Sequence, residues 1–288
     1  MKNARLSICA MSVVLFITVG QGFGYIEFND GDTHNINYVI NESVLVDNQS
    51  PNTQTTVNLI PRGYISSTLQ GYNNSNINMD GGYVDYLYAF DSSHITVSSG
   101  TLGHLEAYGN SESEIYGSLA HLNAYGNSQI TMLSGTMLYL HVYDNSHFSM
   151  SGGVLPYGQF QGDQVSGVLW AYGSSQITIS GGSIYGLRAD GSSTITMSGG
   201  TIGGNIMLNN GALLTLNGSN FTIDGISIGF GEIVKKGGFR TLTGILANGD
   251  RIHTTFQTAD SAKVILIPEP CTLALLGLGG LLLRRRKK

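Results

Sequence analysis

The stretch Ala171-Tyr172-Gly173-Ser174-Ser175-Gln176-Ile177-Thr178-Ile179-Ser180-Gly181-Gly182-Ser183-Ile184 is repeated eighteen residues later. The second copy reads Ala189-Asp190-Gly191-Ser192-Ser193-Thr194-Ile195-Thr196-Met197-Ser198-Gly199-Gly200-Thr201-Ile202. Working outward, equivalent rows start at Gly71, Ala89, Ala107, Ala124, Val142, Ala171, Ala189 and Leu208, with spacings of 18, 18, 17, 18, 29, 18 and 19 residues. A fixed period of this size marks a repeat architecture. An aliphatic residue stands two positions before each row start (Leu69, Leu87, Leu105, Leu122, Leu140, Leu169, Leu187, Ile206). Further along come apolar pairs at i and i+2, such as Ile77/Met79, Ile95/Val97, Ile130/Met132, Phe148/Met150 and Ile177/Ile179. That spacing puts both members of a pair on one face of a strand. The Thr between them points outward and suits a pleated surface.

Turn chemistry separates the strands. Asn-Ser or Ser-Ser precedes each Ile column, and Gly-Gly follows it at 81–82, 152–153, 181–182 and 199–200. Gly reaches positive φ without steric cost, while Asn and Ser bond to nearby backbone in bends. One row cannot bury its apolar face alone, but stacked rows can. The expected fold is all-β: a right-handed parallel β-helix, or β-solenoid, of about eight ~18-residue rungs, with short β caps and helical segments only at the two termini. The pattern leaves open whether two or three strands complete a rung. The row from Ala107 is one residue short and carries Ser113 and Glu114 where an apolar residue is expected, so Ile115 is expected to fill the gap through a bulge. The row from Val142 is lengthened near Pro156–Gly167, which reads as a loop leaving one corner.

The 288-residue chain has 40 Gly, 5 Pro, two Cys and 11% charged residues. It is poor in charge without being poor in apolar residues, which fits a turn-rich β protein better than disorder. Lys2 and Arg5 precede an apolar run from Leu6 to Val19, followed by Gly20, Gly22 and Gly24, the pattern of a secretory signal peptide. With Cys9 inside that leader, the exported chain keeps Cys271 alone and no internal disulfide. The tail reads Ile267-Pro268-Glu269-Pro270-Cys271-Thr272, then an apolar run to Leu283, then Arg284-Arg285-Arg286-Lys287-Lys288. The apolar run spans about 20 Å as a helix, short of a ~30 Å bilayer core, and the basic cluster suits the cytoplasmic side. The expected segments are a signal peptide (1–24), an N-terminal cap and first rungs (25–68), solenoid repeats (69–225), a C-terminal β cap and connector (226–267) and a sorting and anchor segment (268–288).

That tail resembles the PEP-CTERM sorting domain of exopolysaccharide-producing bacteria, on Pro268-Glu269-Pro270, the apolar run and the terminal arginines Arg284, Arg285 and Arg286. The resemblance covers about twenty residues. It implies recognition by an exosortase-type membrane enzyme, passage through the membrane, and delivery to the envelope or matrix. The body is also similar in style to Ser/Gly/Ile-rich repeat proteins of planctomycete-like bacteria that carry this tail, a likeness that implies no particular activity. Removing Lys2, Arg5 and the five terminal basic residues takes the formal net charge from −5 to −12. An acidic exported body is a poor partner for nucleic acid.

Parallel β-helix enzymes that cut polysaccharides need convergent carboxylates, alone or with Arg or Lys. Asp80/Asp85, Glu112/Glu114 and Arg188/Asp190 are the nearest approaches, and none repeats or obviously converges. No catalytic, cofactor or metal residue is therefore assigned. His104 and His121 fall at equivalent places in adjacent rows, with His141 in a neighbouring column, and read as stacked imidazoles without a third ligand in register. The stronger signal is a face. If Leu87 and Ala89 point in, then Tyr86, Tyr88 and Phe90 point out. Successive rows add His104, Glu106 and Tyr108; His121, Asn123 and Tyr125; Tyr139, His141 and Tyr143; and Val168, Trp170 and Tyr172. Twelve of these fifteen positions are aromatic or His. Such a load reads either as a stacking ladder or as an interaction surface suited to sugar rings. The expected role is a non-enzymatic structural or adhesive solenoid associated with extracellular polysaccharide. A polysaccharide lyase or hydrolase is the alternative.

Overall fold

The computed structural model of the chain describes residues 24–47, 53–159, 165–233, 238–259 and 261–269. In them, 25 strands join one continuous hydrogen-bonded sheet that coils on itself, and a two-stranded hairpin stands apart. The protein is an all-β solenoid of about ten turns, stacked in parallel. Among the described residues no helix is long and apolar enough to cross a membrane. Residues 1–23, where a signal peptide is expected, and the tail from Pro270 onward lie outside those residues, and with them the expected terminal helices.

Inward columns on three sides hold the coil together. The first runs Ile26, Val44, Leu69, Leu87, Leu105, Leu122, Leu140, Leu169, Leu187, Ile206 and Phe256, each residue registered on the next. Leu87, Leu105 and Leu122 have no solvent exposure. The second runs from His34 through Val57, Ile77, Ile95, Ser113, Ile130, Phe148, Ile177, Ile195 and Leu214 to Val264. A third column completes each rung: Ile40, Ile65, Val84, Leu102, Leu119, Met137, Leu155, Ile184 and Ile202. Each rung thus has three inward-facing sides. The third side contributes a single apolar residue per rung and so shows no i, i+2 pair in the sequence.

Two kinds of corner make the coil turn. One is a four-residue turn whose second residue has positive φ: Asn73, Asp91, Gly109, Gly126, Asp144, Gly173, Gly191 and Asn210 take it in successive rungs. Gly, Asn and Asp are the residues that enter this region most readily. The other corner is the Gly-Gly pair. At Gly182 (φ 85°) a Cβ would lie 2.8 Å from the Gly153 carbonyl oxygen, so only glycine fits between rungs there.

The short row differs from the sequence expectation. Ser113 itself occupies the Ile column between Ile95 and Ile130, and Ile115 falls in register with Val97 and Met132, so no bulge forms. The missing residue is taken from the Gly corner, where the Tyr116 and Gly117 amides both donate to the Val97 carbonyl at 2.8 Å. Dropping a residue at a corner leaves every strand register intact, whereas a bulge would turn side chains to the wrong face.

The ends are unlike each other. Tyr25–Phe28, Thr33–Ile36 and Val39–Ile40 are already in register with the next rung, so the expected cap is itself solenoid. At the other end Arg240–Leu246 and Arg251–Thr258 form an antiparallel hairpin, and Gly231–Ile233 lies antiparallel on Lys263–Pro268. The hairpin turn is pinned to the Gly corner below. The Asp250 carboxylate accepts from the Gly200 amide at 2.7 Å, and the Asn248 amide donates to the Ser198 carbonyl at 3.0 Å.

A further buried column is polar. Ser75, Ser93, Ser111, Ser128, Ser146, Ser175 and Ser193 close the tight turns and are wholly buried. Ser146 Oγ donates to the Tyr143 carbonyl, but the hydroxyls of Ser75, Ser93, Ser111, Ser128, Ser175 and Ser193 have no partner. Ala212 and Ala262 take the same turn position in later rungs, so the turn does not require the hydroxyl. An unpaired buried hydroxyl is costly. Ser93→Ala is therefore expected to leave stability unchanged or raise it by about 1 kcal/mol. Ser113→Val, which restores an aliphatic between Ile95 and Ile130, should also raise it by about 1 kcal/mol. Urea unfolding followed by circular dichroism reads both, and a fall in the midpoint for either variant would contradict this account of the column.

Candidate functional site

The outer face of the strands that carry the Leu column holds all twelve aromatic and His residues anticipated from the sequence. Side chains there alternate with Leu and Ala, which point inward and are buried, so every intervening residue is forced out. The parallel register then places like over like, and three outward columns result.

In the first column Tyr86, His104, His121 and Tyr139 form an unbroken stack, with ring centroids 4.5, 4.4 and 4.5 Å apart and planes within 12°. In the third column Phe90, Tyr108, Tyr125, Tyr143 and Tyr172 stack at 5.2, 4.9, 4.9 and 5.0 Å. Tyr72, not anticipated, extends this ladder by one rung at 4.8 Å from Phe90. It follows Gly71 as Phe90 follows Ala89, so the signal was present one row earlier. The middle column is mixed: Gln70, Tyr88, Glu106, Asn123, His141, Trp170 and Arg188 in register. His141 meets Trp170 edge-on at 6.0 Å, and the Arg188 guanidinium lies 4.4 Å over the indole, a cation–π contact that the sequence reading did not anticipate. A separate pair, Tyr64 and Tyr83, stacks at 5.0 Å on the short side of the rung.

The ladders decide which parts of the rings are available. In the first and third columns each interior ring has its π faces against its neighbours, leaving edges and phenol oxygens toward solvent. Tyr88 differs, because its cross-strand partners are Gln70 and Glu106 and not rings. The face is open along most of its length: Tyr86 is 37% exposed and the others are half-buried, except Tyr139 at 8%. Tyr139 lies beside the point where the long insertion returns, since Gly167 donates to the Leu138 carbonyl at 2.7 Å. The described part of that insertion packs Tyr157 on Tyr185, 4.5 Å apart, and not on the ladders.

Electrostatics follow from the same geometry. Burial, then the neighbouring imidazoles His104 and His141, holds the His121 pKa below its usual value; burial alone does so for His141. Tyr88, Tyr125 and Tyr143 have raised pKa values through burial first and the Glu106 charge second. Tyr108, whose hydroxyl donates to Glu106, is raised furthest. Stacked imidazoles have parallel rings, so their in-plane lone pairs run side by side and do not converge on one ion. Among the described residues no group of three or more His, Cys, Asp or Glu could hold a metal.

The carboxylates considered for catalysis are dispersed. Asp80, Glu112 and Glu114 lie outward on the Ile-column side. Asp80 lines a shallow groove with Asn58, Asn78 and Thr96; Glu112 is 3.7 Å from His94; and Glu114 accepts from Tyr116 at 3.2 Å. Arg188 and Asp190 stand on the aromatic side, where Arg188 covers Trp170 and Asp190 accepts from Asn210 at 2.7 Å. Of the tail motif, Pro268 closes the last strand opposite Gly218, and Glu269 accepts from Ser219 at 3.4 Å. Pro270, Arg284, Arg285 and Arg286 lie outside the described residues.

No protein-family model matches the chain, and neither the curated proteins nor the solved structures contain a match.

The depressed imidazoles make stability depend on pH. A His whose folded pKa lies below the unfolded value of 6.5 takes up its proton more readily when unfolded, so the native state is weakened as pH falls below about 6.5. The thermal midpoint should be level from about pH 7 to 9 and fall on acidification below about 6.5. His121→Phe, which keeps a ring in the stack but cannot be protonated, should flatten that fall. An equally steep acid slope in the variant would show that the stacked imidazoles are not its source.

Proposed function

We propose that this chain is an exported, non-catalytic β-solenoid, sorted through its tail, that serves as a structural or adhesive component of an extracellular polysaccharide matrix. The observation that carries the reading is the continuous aromatic face. It is flat, rigid and half-exposed, and its chemistry repeats once per rung at about 4.8 Å, close to the advance of one sugar in an extended polysaccharide. Its ladders supply rigidity through about 0.5–1.5 kcal/mol per ring pair. Its ring edges, including that of Trp170 beneath Arg188, its phenol oxygens and the ring of Tyr88, whose cross-strand neighbours are not rings, supply the contact, since sugars offer C–H faces and hydroxyls to such groups. Export is supported by the leader pattern, and sorting by the tail's resemblance to the PEP-CTERM domain with its exosortase-type enzyme. The placement of Glu112, Glu114, Arg188 and Asp190 does not favour the lyase or hydrolase alternative, because the two groups lie on different sides and each member has its own partner.

The test is retention of the purified solenoid on the exopolysaccharide of the cells that make it. Replacing Tyr88 and Trp170 together by Ser should reduce retention at least about tenfold, with a smaller effect on the unfolding midpoint than a ladder substitution such as Tyr125→Ser. Unchanged retention in the Tyr88/Trp170 variant would remove the polysaccharide-contact part of the proposal.

A further inference from the structure

Glu106 is the single carboxylate among the fifteen outward positions of the aromatic face from Tyr86 to Tyr172. It stands in the middle column, with Tyr88 and Asn123 across the strands and His104 and Tyr108 two residues away along the chain. Oε2 accepts the Tyr108 hydroxyl, and Oε1 accepts the Asn123 amide at 3.3 Å. A carboxylate has about four acceptor sites, so about two remain open. Among the described residues no Lys, Arg or His reaches it within ion-pair distance. The face's fixed cation, Arg188, is four rungs away and held over Trp170. The side chain is half-buried, which strengthens its field, and that field falls on Tyr88, Tyr108, Tyr125 and Tyr143. The middle column of the face thus carries a negative charge with no cationic partner among the described residues, framed by electron-rich rings and phenol oxygens. That combination suits an ammonium group.

Resting on the polysaccharide reading above, we propose that Glu106 anchors a subsite for amine-bearing sugars, so that the matrix polymer this face takes is one with free amino groups. The protonated amine donates to the open acceptor sites of Glu106 and to the Asn123 carbonyl oxygen, while the sugar's C–H face lies toward Tyr88. The net charge of −12 left once the terminal basic residues are removed acts in the same direction, attracting a cationic polymer and repelling a uronic-acid one.

The probes are a β-1,4-linked glucosamine hexamer and its fully N-acetylated counterpart, titrated calorimetrically at about pH 6, where the sugar amine is largely charged and the Glu106 carboxylate is ionised. The wild-type solenoid should bind the free-amine hexamer at least about tenfold more tightly than the acetylated one. Glu106→Gln, which keeps the side chain's shape and one of its two acceptor oxygens and changes net charge by only one, should abolish that preference. An unchanged preference in the variant would mean attraction by overall charge alone and overturn the subsite. Equal or tighter binding of the acetylated hexamer by the wild type would also overturn it while leaving the polysaccharide reading standing, and needs no variant to read. Absence of binding to both hexamers and to the native exopolysaccharide would remove the two together.

Discussion

In-register parallel stacking is the constraint on which this structure depends. Each residue lies over its counterpart one rung away at about 4.8 Å, so every column has to be compatible with itself. Inside, that selects aliphatic on aliphatic for about ten turns. Ser113 shows how much departure is tolerated: one small polar residue between Ile95 and Ile130, with the register unbroken because the length change is absorbed at a Gly corner. The corners bear the rest of the constraint, since a side chain at Gly182 would collide with the rung beneath.

The same rule acts on the outside, where it produces chemistry and not merely stability. Asn58 donates to Asn35 at 2.8 Å, and Asn78 to Asn58 at 2.9 Å, a short amide ladder on the Ile-column side. On the Leu-column side the outcome is two ladders of rings flanking a mixed column. The solenoid therefore has one side of amides and hydroxyls and one of aromatic rings, and the difference comes from outward residues that have no part in the core. Stacking also removes something: a ring within a ladder has spent its faces on its neighbours. Recognition on this surface falls to edges, hydroxyls and the middle column, where Tyr88, Glu106, Asn123, His141 and Trp170 break the like-on-like pattern.

The two ends divide the work of closing the stack. Antiparallel strands cover the last rung, and Asp250 ties their hairpin to Gly200. Because Pro268 is still paired to Gly218, the motif that resembles a sorting signal begins directly on the last rung with no intervening linker. Among the described residues, the first rung pairs on one side only.

Much of this was legible in the sequence because period-two alternation and an eighteen-residue repeat are local signals. The Leu and Ile columns, the Asn-Ser and Gly-Gly corners and the twelve outward rings all follow from counting. The third apolar column was not legible, since Val84, Leu102 or Ile184 stands alone in its rung without an i+2 partner. The bulge expected at Ile115 failed for a related reason: spacing shows that a residue is missing but not where the coil gives it up. Phe256 and Val264 join the stack after a long antiparallel excursion that erases the repeat length, so only coordinates place them over Ile206 and Leu214. By itself, then, the sequence determined that rungs stack and which side chains face outward, because both follow from alternation along one strand. Which ring covers which, that Arg188 lies over Trp170, and that Glu106 has no cationic partner were decided by the tertiary structure, because those contacts join residues from different rungs and depend on register and side-chain direction.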